Sequence, residues 1–193
     1  KIVYSIQILD NKSNKISDNL LPKFLKIQKK LKNEQKIEKL IVCKGPGSYT
    51  SLRVGIGFMY GLSYANKIPL IGIDCVNLLE TGLNFKEKKE TIIFICSLNN
   101  QNFIRYYCHD KKKYQLKKID HINNMINLNI NNHFYKNIFS NEKILLDSNI
   151  FKIQKFFYKN FSEIIMLNLN NILQLKNSGY ISPIYVSENK ILN

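Results

Sequence analysis

The stretch with the clearest chemical potential is Gly45–Thr50, GPGSYT, which follows the apolar run KLIVC and leads into SLRVGIGFMYGLSYAN. A glycine-rich turn that opens a helix presents unpaired N–H groups and the positive end of the helix dipole, a ready place for a phosphate. Gly45 and Gly47 permit close backbone approach, and Ser48 and Thr50 add hydroxyls. Gly45, Pro46, Gly47, Ser48, Tyr49 and Thr50 therefore form a candidate nucleotide-contacting loop. The spacing is not that of a P-loop, because no Gly-Lys-Ser/Thr follows, and it is not GxGxxG with a ribose-binding acid downstream. Gly-Pro-Gly is also an efficient sharp turn from a strand into a helix. Both uses stay open at this point.

Other reactive residues are sparse. His109, His121 and His133 stand in no metal-ligand spacing. There is no GxSxG nucleophile elbow. Asp74 and Asp147 each follow a strand-like run, where aspartates commonly serve structure, and no two acids stand out as an acid–base couple. Cys43, Cys75, Cys96 and Cys108 include no CxxC pair and are expected as buried free thiols of a reducing cytoplasm. No catalytic or metal-binding residue is assigned.

The elements that must position the loop are legible. KLIVC (Lys39–Cys43) reads as a buried strand, the helix after the loop runs to about Asn66, and PLIGID beyond Pro69 reads as the next strand, which makes a βαβ unit with parallel strands. Ser48 or Thr50 is expected to cap the helix. Upstream, Ile2–Leu9 is strand-like. After it, Leu20, Phe24, Ile27 and Leu31 recur at helical spacing with Leu21 and Leu25 beside them, Ser17, Asp18 or Asn19 as cap and Pro22 near the first turn. Val76–Gly82 reads as a short helix and Phe85–Glu90 as a charged linker, which divides the chain into lobes 1–84 and 85–193. The second lobe opens with a β-hairpin, TIIFICS and FIRYYCH around the turn NNQN. EKILLDS, a helix over Phe151–Tyr158, EIIMLN, a helix over Asn170–Asn177 and ISPIYVS complete an α/β pattern.

The helix after the loop has almost no polar face. Arg53, Gly57, Gly61 and Ala65 lie four apart in one stripe, with Ser51 and Gly55 beside it and large apolar residues in the other directions. A helix apolar all round needs cover all round. In so small a lobe that cover is either the lobe's own elements or another polypeptide brought close by the small residues.

The net charge is +15, almost all of it lysine, with Arg53 and Arg105 the only arginines. Abundant Asn, Ile and Lys also fit AT-rich coding, so the charge reads either as compositional drift or as a surface for nucleic acid. Lysine without arginine would make backbone contacts and would not read bases. The longest apolar run, Val54–Ala65, is broken by Gly55, Gly57, Gly61 and Ser63, and no membrane span or signal peptide is read.

The residues from Gly45 to Asp74 resemble the signature of the bacterial TsaB (YeaZ) family, G-P-G-S-F/Y-T-G-L-R-x-G, then a small-residue helix and I-P-L-x-G-V. Gly45 to Thr50, Leu52, Arg53 and Gly55 match, and Ser51 replaces a glycine. SDNLLPKFLKI resembles the family's H-S-E-x-L-L-P helix with Ile16 in place of histidine. SPIYVS resembles its P-x-Y-L-R ending with the arginine lost, and the usual D-A-R reads Ser97, Leu98, Asn99. The resemblance implies an α/β, two-lobed actin-like (ASKHA) fold. The first lobe then lacks its first two strands, and with them the acidic phosphate loop of actin-like ATPases. It implies a non-catalytic, cytoplasmic subunit that supports threonylcarbamoylation of adenosine 37 in ANN-decoding tRNAs. Such a subunit has no cofactor of its own, while ATP and metal sit on a TsaD-like catalytic partner. A TsaE-like ATPase joins the assembly and tRNA is engaged indirectly. First-lobe helices would form the docking face. Leu20, Leu21, Phe24 and Ile27 come from one, and Leu52, Arg53, Ile56, Gly57, Met59, Tyr60, Gly61 and Tyr64 from the other. A homodimer through the same helices is the alternative assembly. The alternative functions are a metal-dependent glycoprotease-like peptidase and a direct nucleic-acid binder.

Overall fold

The structure, a computed structural model, describes residues 15–31, 36–81, 83, 85–97, 102–120, 135–141, 155–158, 161–176 and 178–186. The segment Ile2–Leu9, the NNQN turn up to Gln101, EKILLDS, Asp147, His121 and His133 lie outside the described residues.

The fold is mixed α/β. Helix α1 (Ile16–Gln28) precedes strand β1 (Leu40–Cys43), helix α2 (Tyr49–Asn66) and strand β2 (Leu70–Ile73). β1 and β2 pair in parallel with Cys43 opposite Ile73, as a βαβ crossover requires. Helix α3 (Cys75–Glu80) leaves β2 directly. Asp74 caps it, accepting from the N–H groups of Val76 at 2.8 Å and Asn77 at 3.2 Å, so this aspartate is a satisfied structural one.

The second half holds a five-stranded mixed sheet in the order β5-β4-β3-β6-β7. Its strands are β3 (Thr91–Ile95), β4 (Asn102–Cys108), β5 (Lys113–Ile119), β6 (Asn137–Ser140) and β7 (Lys155–Tyr158), preceded by helix α4 (Phe85–Glu90) and followed by α5 (Phe161–Leu167) and α6 (Leu169–Gln174). The β3–β4 pair is antiparallel, as the hairpin reading expects.

Two cores hold these layers. Leu40, Val42, Ile56, Leu70 and Ile181 form one, between α2 and the first sheet. The other unites Cys75, Val76, Leu78 and Leu79 of α3 with Ile93, Ile95, Phe103 and Leu116 of the second sheet, and with Ile164 and Ile172 of α5 and α6. α3 is thus the element through which the two sheets share a core.

Several expectations are corrected. The helix over Phe151–Tyr158 is a strand where it is described: Lys155–Tyr158 pairs in parallel with β6, and its aromatic run FFY suits a pleated edge. EIIMLN lies mostly in α5, where the Asn168 N–H donates to the Ile164 carbonyl four residues back at 3.2 Å, the bond of an α-helical turn. The Phe85–Glu90 linker is a single helical segment. Lys15 occupies the N-cap position of α1, leaving Ser17, Asp18 and Asn19 inside the first turn and Pro22 inside the helix. Ser48 sits at the N-cap of α2, but its hydroxyl makes no capping bond. Of ISPIYVS, residues 181–186 are described; they belong to no helix or strand and join neither sheet. Cys43 and Cys75 are not free thiols: they form a disulfide, with Cα atoms 6.3 Å apart, because parallel register brings the end of β1 beside the start of α3. Cys96 and Cys108 are not disulfide-bonded.

Candidate functional site

The glycine loop is clamped from two sides. The Lys44 N–H donates to the Ile73 carbonyl at 2.9 Å and the Cys75 N–H to the Gly45 carbonyl at 3.0 Å, which ties the loop to the β2–α3 junction. From the other side, the Ile184 N–H donates to the Lys44 carbonyl at 2.6 Å. Gly45 has φ +112°, and a Cβ there would meet the Ile184 carbonyl oxygen at 2.9 Å and Leu52 Cδ1 at 3.0 Å. Only glycine fits that conformation and that space. Gly45 and Pro46 are buried, Gly47 and Ser48 half-buried, and Tyr49 and Thr50 exposed. The loop is thus largely packed into the protein, and its outer end carries a stack: the Arg53 guanidinium lies 4.6 Å from the Tyr49 ring centroid, and Tyr49 lies 4.7 Å from the Tyr185 ring.

From this clamp α2 projects with two faces. Leu52 and Ile56 point inward and are 9% and 5% exposed, so they anchor the helix and do not face outward as the docking reading had them. Met59 and Tyr60 are half-buried against the same core. The Tyr60 hydroxyl donates to the Gly179 carbonyl at 3.3 Å and accepts from the Ile181 N–H, so this side chain serves the chain's own C-terminal segment. The other face is open: Arg53, Gly57, Gly61 and Tyr64 are exposed, Tyr64 at 91%. Nothing lies within 4 Å of a Cβ built on Gly55, Gly57 or Gly61.

Helix α1 extends this face. Phe24 meets Phe58 of α2 edge-on at 5.6 Å, and Leu20 and Ile27 are half-buried. No residue of α1 is buried, and Leu21 and Leu25 are 50% and 44% exposed. The structure therefore brings Leu21, Arg53, Gly57, Gly61 and Tyr64 to the surface of one helix pair and withdraws Leu52, Ile56 and Tyr60 from it.

The residues that sequence reasoning missed are in 178–186. Ser178 bonds the edge of β2 that faces away from β1: its N–H donates to the Leu70 carbonyl at 2.9 Å, and its hydroxyl accepts from the Gly72 N–H at 3.1 Å. Ile181 enters the α2–sheet core. The alternating apolar residues of ISPIYV marked the segment as buried, but nothing local named its partner.

A second polar constellation joins the halves. Arg105 of β4 pairs with Glu80 at the end of α3 at 2.7 Å and stacks its guanidinium 4.4 Å from the Tyr114 ring centroid. Burial raises the Glu80 carboxyl above the ordinary glutamate range, and the adjacent Arg105 offsets that only in part. Among the described residues no group of three or more His, Cys, Asp or Glu could hold a metal ion, and no helix is long and apolar enough to cross a membrane.

Comparison with known proteins adds three findings. The family model for TsaD, tRNA N6-adenosine threonylcarbamoyltransferase, matches residues 11–174. A curated relative from Buchnera aphidicola subsp. Schizaphis graminum, the tRNA threonylcarbamoyladenosine biosynthesis protein TsaB, is 31% identical over 94 residues; the match takes in 48% of this chain and spans less than half, 44%, of that protein. Among solved structures, YeaZ from Pseudomonas aeruginosa aligns at 18% identity and TM-score 0.36 over 52% of this chain and 49% of its own. A protein described as similar to peptidase YeaZ, from Pseudomonas aeruginosa, aligns at 11% identity and TM-score 0.47 over 88% and 83%.

Proposed function

The chain belongs to the tRNA N6-adenosine threonylcarbamoyltransferase family, and from that premise we propose that it acts as a TsaB-type, non-catalytic subunit in threonylcarbamoyladenosine formation on tRNA. The observation that carries this reading is the open face of α2. Gly57 and Gly61 sit at its centre with free space above them, flanked by Arg53 and Tyr64 on the same helix. Glycine in a helix interior costs roughly 1 kcal/mol relative to alanine. The packing of the described residues gives no reason for that cost, because a side chain would meet none of them at either position. A second backbone approaching closely would give one.

The partner is a TsaD-type catalytic subunit, which holds the ATP and metal of the reaction; a TsaE-type ATPase joins the same cytoplasmic assembly. In this reading the glycine loop aims α2. Its buried Gly45 and Pro46, clamped to β2, α3 and 178–186, support a structural role over nucleotide contact. A homodimer through the same face competes with the heterodimer for one surface.

The test is co-expression with the TsaD-type protein of the same cell. A stoichiometric complex is expected by size-exclusion chromatography with light scattering, with threonylcarbamoyladenosine formed only when both chains are present. Turnover by this chain alone, or failure to associate under any nucleotide condition, would remove the reading.

A further inference from the structure

We propose that one end of the second sheet is a binding surface for the phosphate backbone of structured RNA. The topology gathers it from three separate segments. α4 ends at Glu90, where β3 begins, and Thr91 pairs with Asn137 at the start of β6. The Lys136 N–H donates to the Glu90 carbonyl at 2.9 Å, which fixes the 135–136 segment beside the α4–β3 junction. In the antiparallel register Ile93 lies opposite Arg105, so Tyr107 comes level with Thr91. Tyr107 in turn lies opposite Tyr114 at the beginning of β5. The helix end, the β4–β5 turn and the start of β6 therefore share one end of the sheet.

That end carries seven lysines, Lys86, Lys88, Lys89, Lys111, Lys112, Lys113 and Lys136, against three acids, Glu87, Glu90 and Asp110. One of the acids, Glu90, is engaged by Lys136 at 3.3 Å. Lys86, Lys111, Lys112 and Lys136 are exposed. Beneath them lies an aromatic floor: Tyr107 meets Tyr114 and His109 edge-on, each at 5.1 Å, and Lys89 Nζ sits 4.5 Å from the Tyr107 ring centroid. The floor is anchored by the Tyr135 hydroxyl, which donates to the Tyr107 carbonyl. Cations are thus held on a braced platform in this region, and the 109–112 turn is closed by Lys112 N–H to the His109 carbonyl.

Three features select the ligand. The exposed cations are all lysines, because Arg105, which stacks on Tyr114, is engaged by Glu80, and lysines favour neutralising phosphates over forked recognition of bases. Lysines from three segments present charge over a surface and not along one line, as a folded RNA requires. Among the described residues none of the exposed large hydrophobics belongs to this end, where a peripheral membrane helix would present its apolar anchor. The surface is distinct from the α1–α2 face, so an RNA and a protein partner could be held together. Only the choice of tRNA as a probe rests on the function proposed above.

The experiment measures fluorescence anisotropy of the full chain with three probes: an unmodified tRNA transcript, an unrelated RNA duplex of similar charge, and phosphatidylserine-containing vesicles, each over a salt series. Both RNAs are expected to bind. Lys111→Glu/Lys112→Glu is expected to weaken both by about tenfold or more at low salt and to lower the slope of log affinity against log salt by roughly two. Lys26→Glu/Lys29→Glu on α1 changes the net charge equally and is expected to alter binding less than about threefold. Equal losses from the two variants would mean that net charge alone binds RNA and would overturn the site. So would absence of RNA binding, or vesicle binding that outcompetes RNA and is lost in the same variant. Lys111→Gln/Lys112→Gln, a milder change, serves if the reversal fails to fold. Loss of RNA binding with partner assembly intact would leave the proposed function standing, and the converse would leave this site standing.

Discussion

A methyl group placed on Gly72 would lie 2.8 Å from Cγ2 of Ile181 and 3.2 Å from its Cγ1. The two residues are far apart in sequence, yet Ile181 fills the space that a β2 side chain would otherwise occupy and is only 4% exposed. The core under α2 is therefore completed by the C-terminal segment. Gly72→Ala is expected to cost about 1–3 kcal/mol by overpacking, and Ile181→Ala about 2–5 kcal/mol by the cavity it leaves. The double variant should be more stable than the sum of the singles, because the smaller residue 181 makes room for the methyl. Urea denaturation of the four proteins tests this; strict additivity would mean that 178–186 does not pack on β2 in solution.

Gly57 and Gly61 make the opposite case, since a side chain at either meets open space. Gly57→Ala and Gly61→Ala are each expected to stabilise the isolated chain by up to about 1 kcal/mol through helix propensity. Gly57→Leu should leave the melting temperature near that of the wild type while blocking capture by the TsaD-type partner. A melt that collapses for Gly57→Leu would show that this face is internal to the fold. Unimpaired capture by a folded Gly57→Leu would instead move the docking face elsewhere.

How far these features were legible depends on the range of the interaction. The βαβ unit from Leu40 to Ile73 is local: apolar strand, glycine turn, a helix to Asn66 and Pro69 as the break all lie in adjacent sequence. The β3–β4 hairpin was legible for the same reason. EIIMLN is a short apolar run, where helix and strand patterns coincide, and the backbone bond from the Asn168 N–H to the Ile164 carbonyl, four residues back, is what separates them. The Cys43–Cys75 bridge depends on strand register, which the cysteine spacing does not contain. Ile181 has its partners in β2 and α2, more than a hundred residues earlier, so its alternating neighbours read as a strand without saying what they cover. For the candidate site, the stripe Arg53–Gly57–Gly61 was readable from four-residue spacing. The inward turn of Leu52 and Ile56 followed only once β1 was placed beneath them.

Glu80 and Arg105 carry a pH dependence whose sign is set by burial. The Glu80 carboxyl is raised above its ordinary value, first by desolvation and against the pull of Arg105. A folded-state value above the unfolded one means stability that is present at low pH and lost as pH rises through the raised value. Relative to Glu80→Gln, the wild type should therefore gain stability as pH falls from neutrality toward the ordinary glutamate range. Melting temperatures from about pH 4, near the ordinary glutamate value, up to about pH 7.5 would show it. A wild type that loses its advantage on acidification would mean that the ion pair outweighs desolvation. Glu80→Leu alone should cost roughly 3–5 kcal/mol by stranding Arg105, and Glu80→Leu/Arg105→Leu far less.

Tyr106 sets the alkaline limit of the second sheet. It is 4% exposed, its hydroxyl lies 2.8 Å from Gln115 Oε1, and burial pushes its phenol up to about 12. Tyr135, whose ring lies 6.2 Å away, is raised as well, again chiefly by burial. Ionising either inside the sheet is costly, so the stability they contribute is intact below the ordinary tyrosine value near 10 and is lost as pH climbs toward the folded-state values. Alkaline unfolding is expected to begin above about pH 10 and to be cooperative. Absorbance at the tyrosinate band should show a late stage from Tyr106 and Tyr135 that coincides with loss of near-ultraviolet circular dichroism. Tyr106→Phe should be less stable at neutral pH by about 1–2 kcal/mol, because Gln115 loses its buried partner, yet show a shallower decline above pH 10. Titration of all tyrosines in a single stage with the fold intact would show that the β4–β5 face admits water, and would sink the prediction.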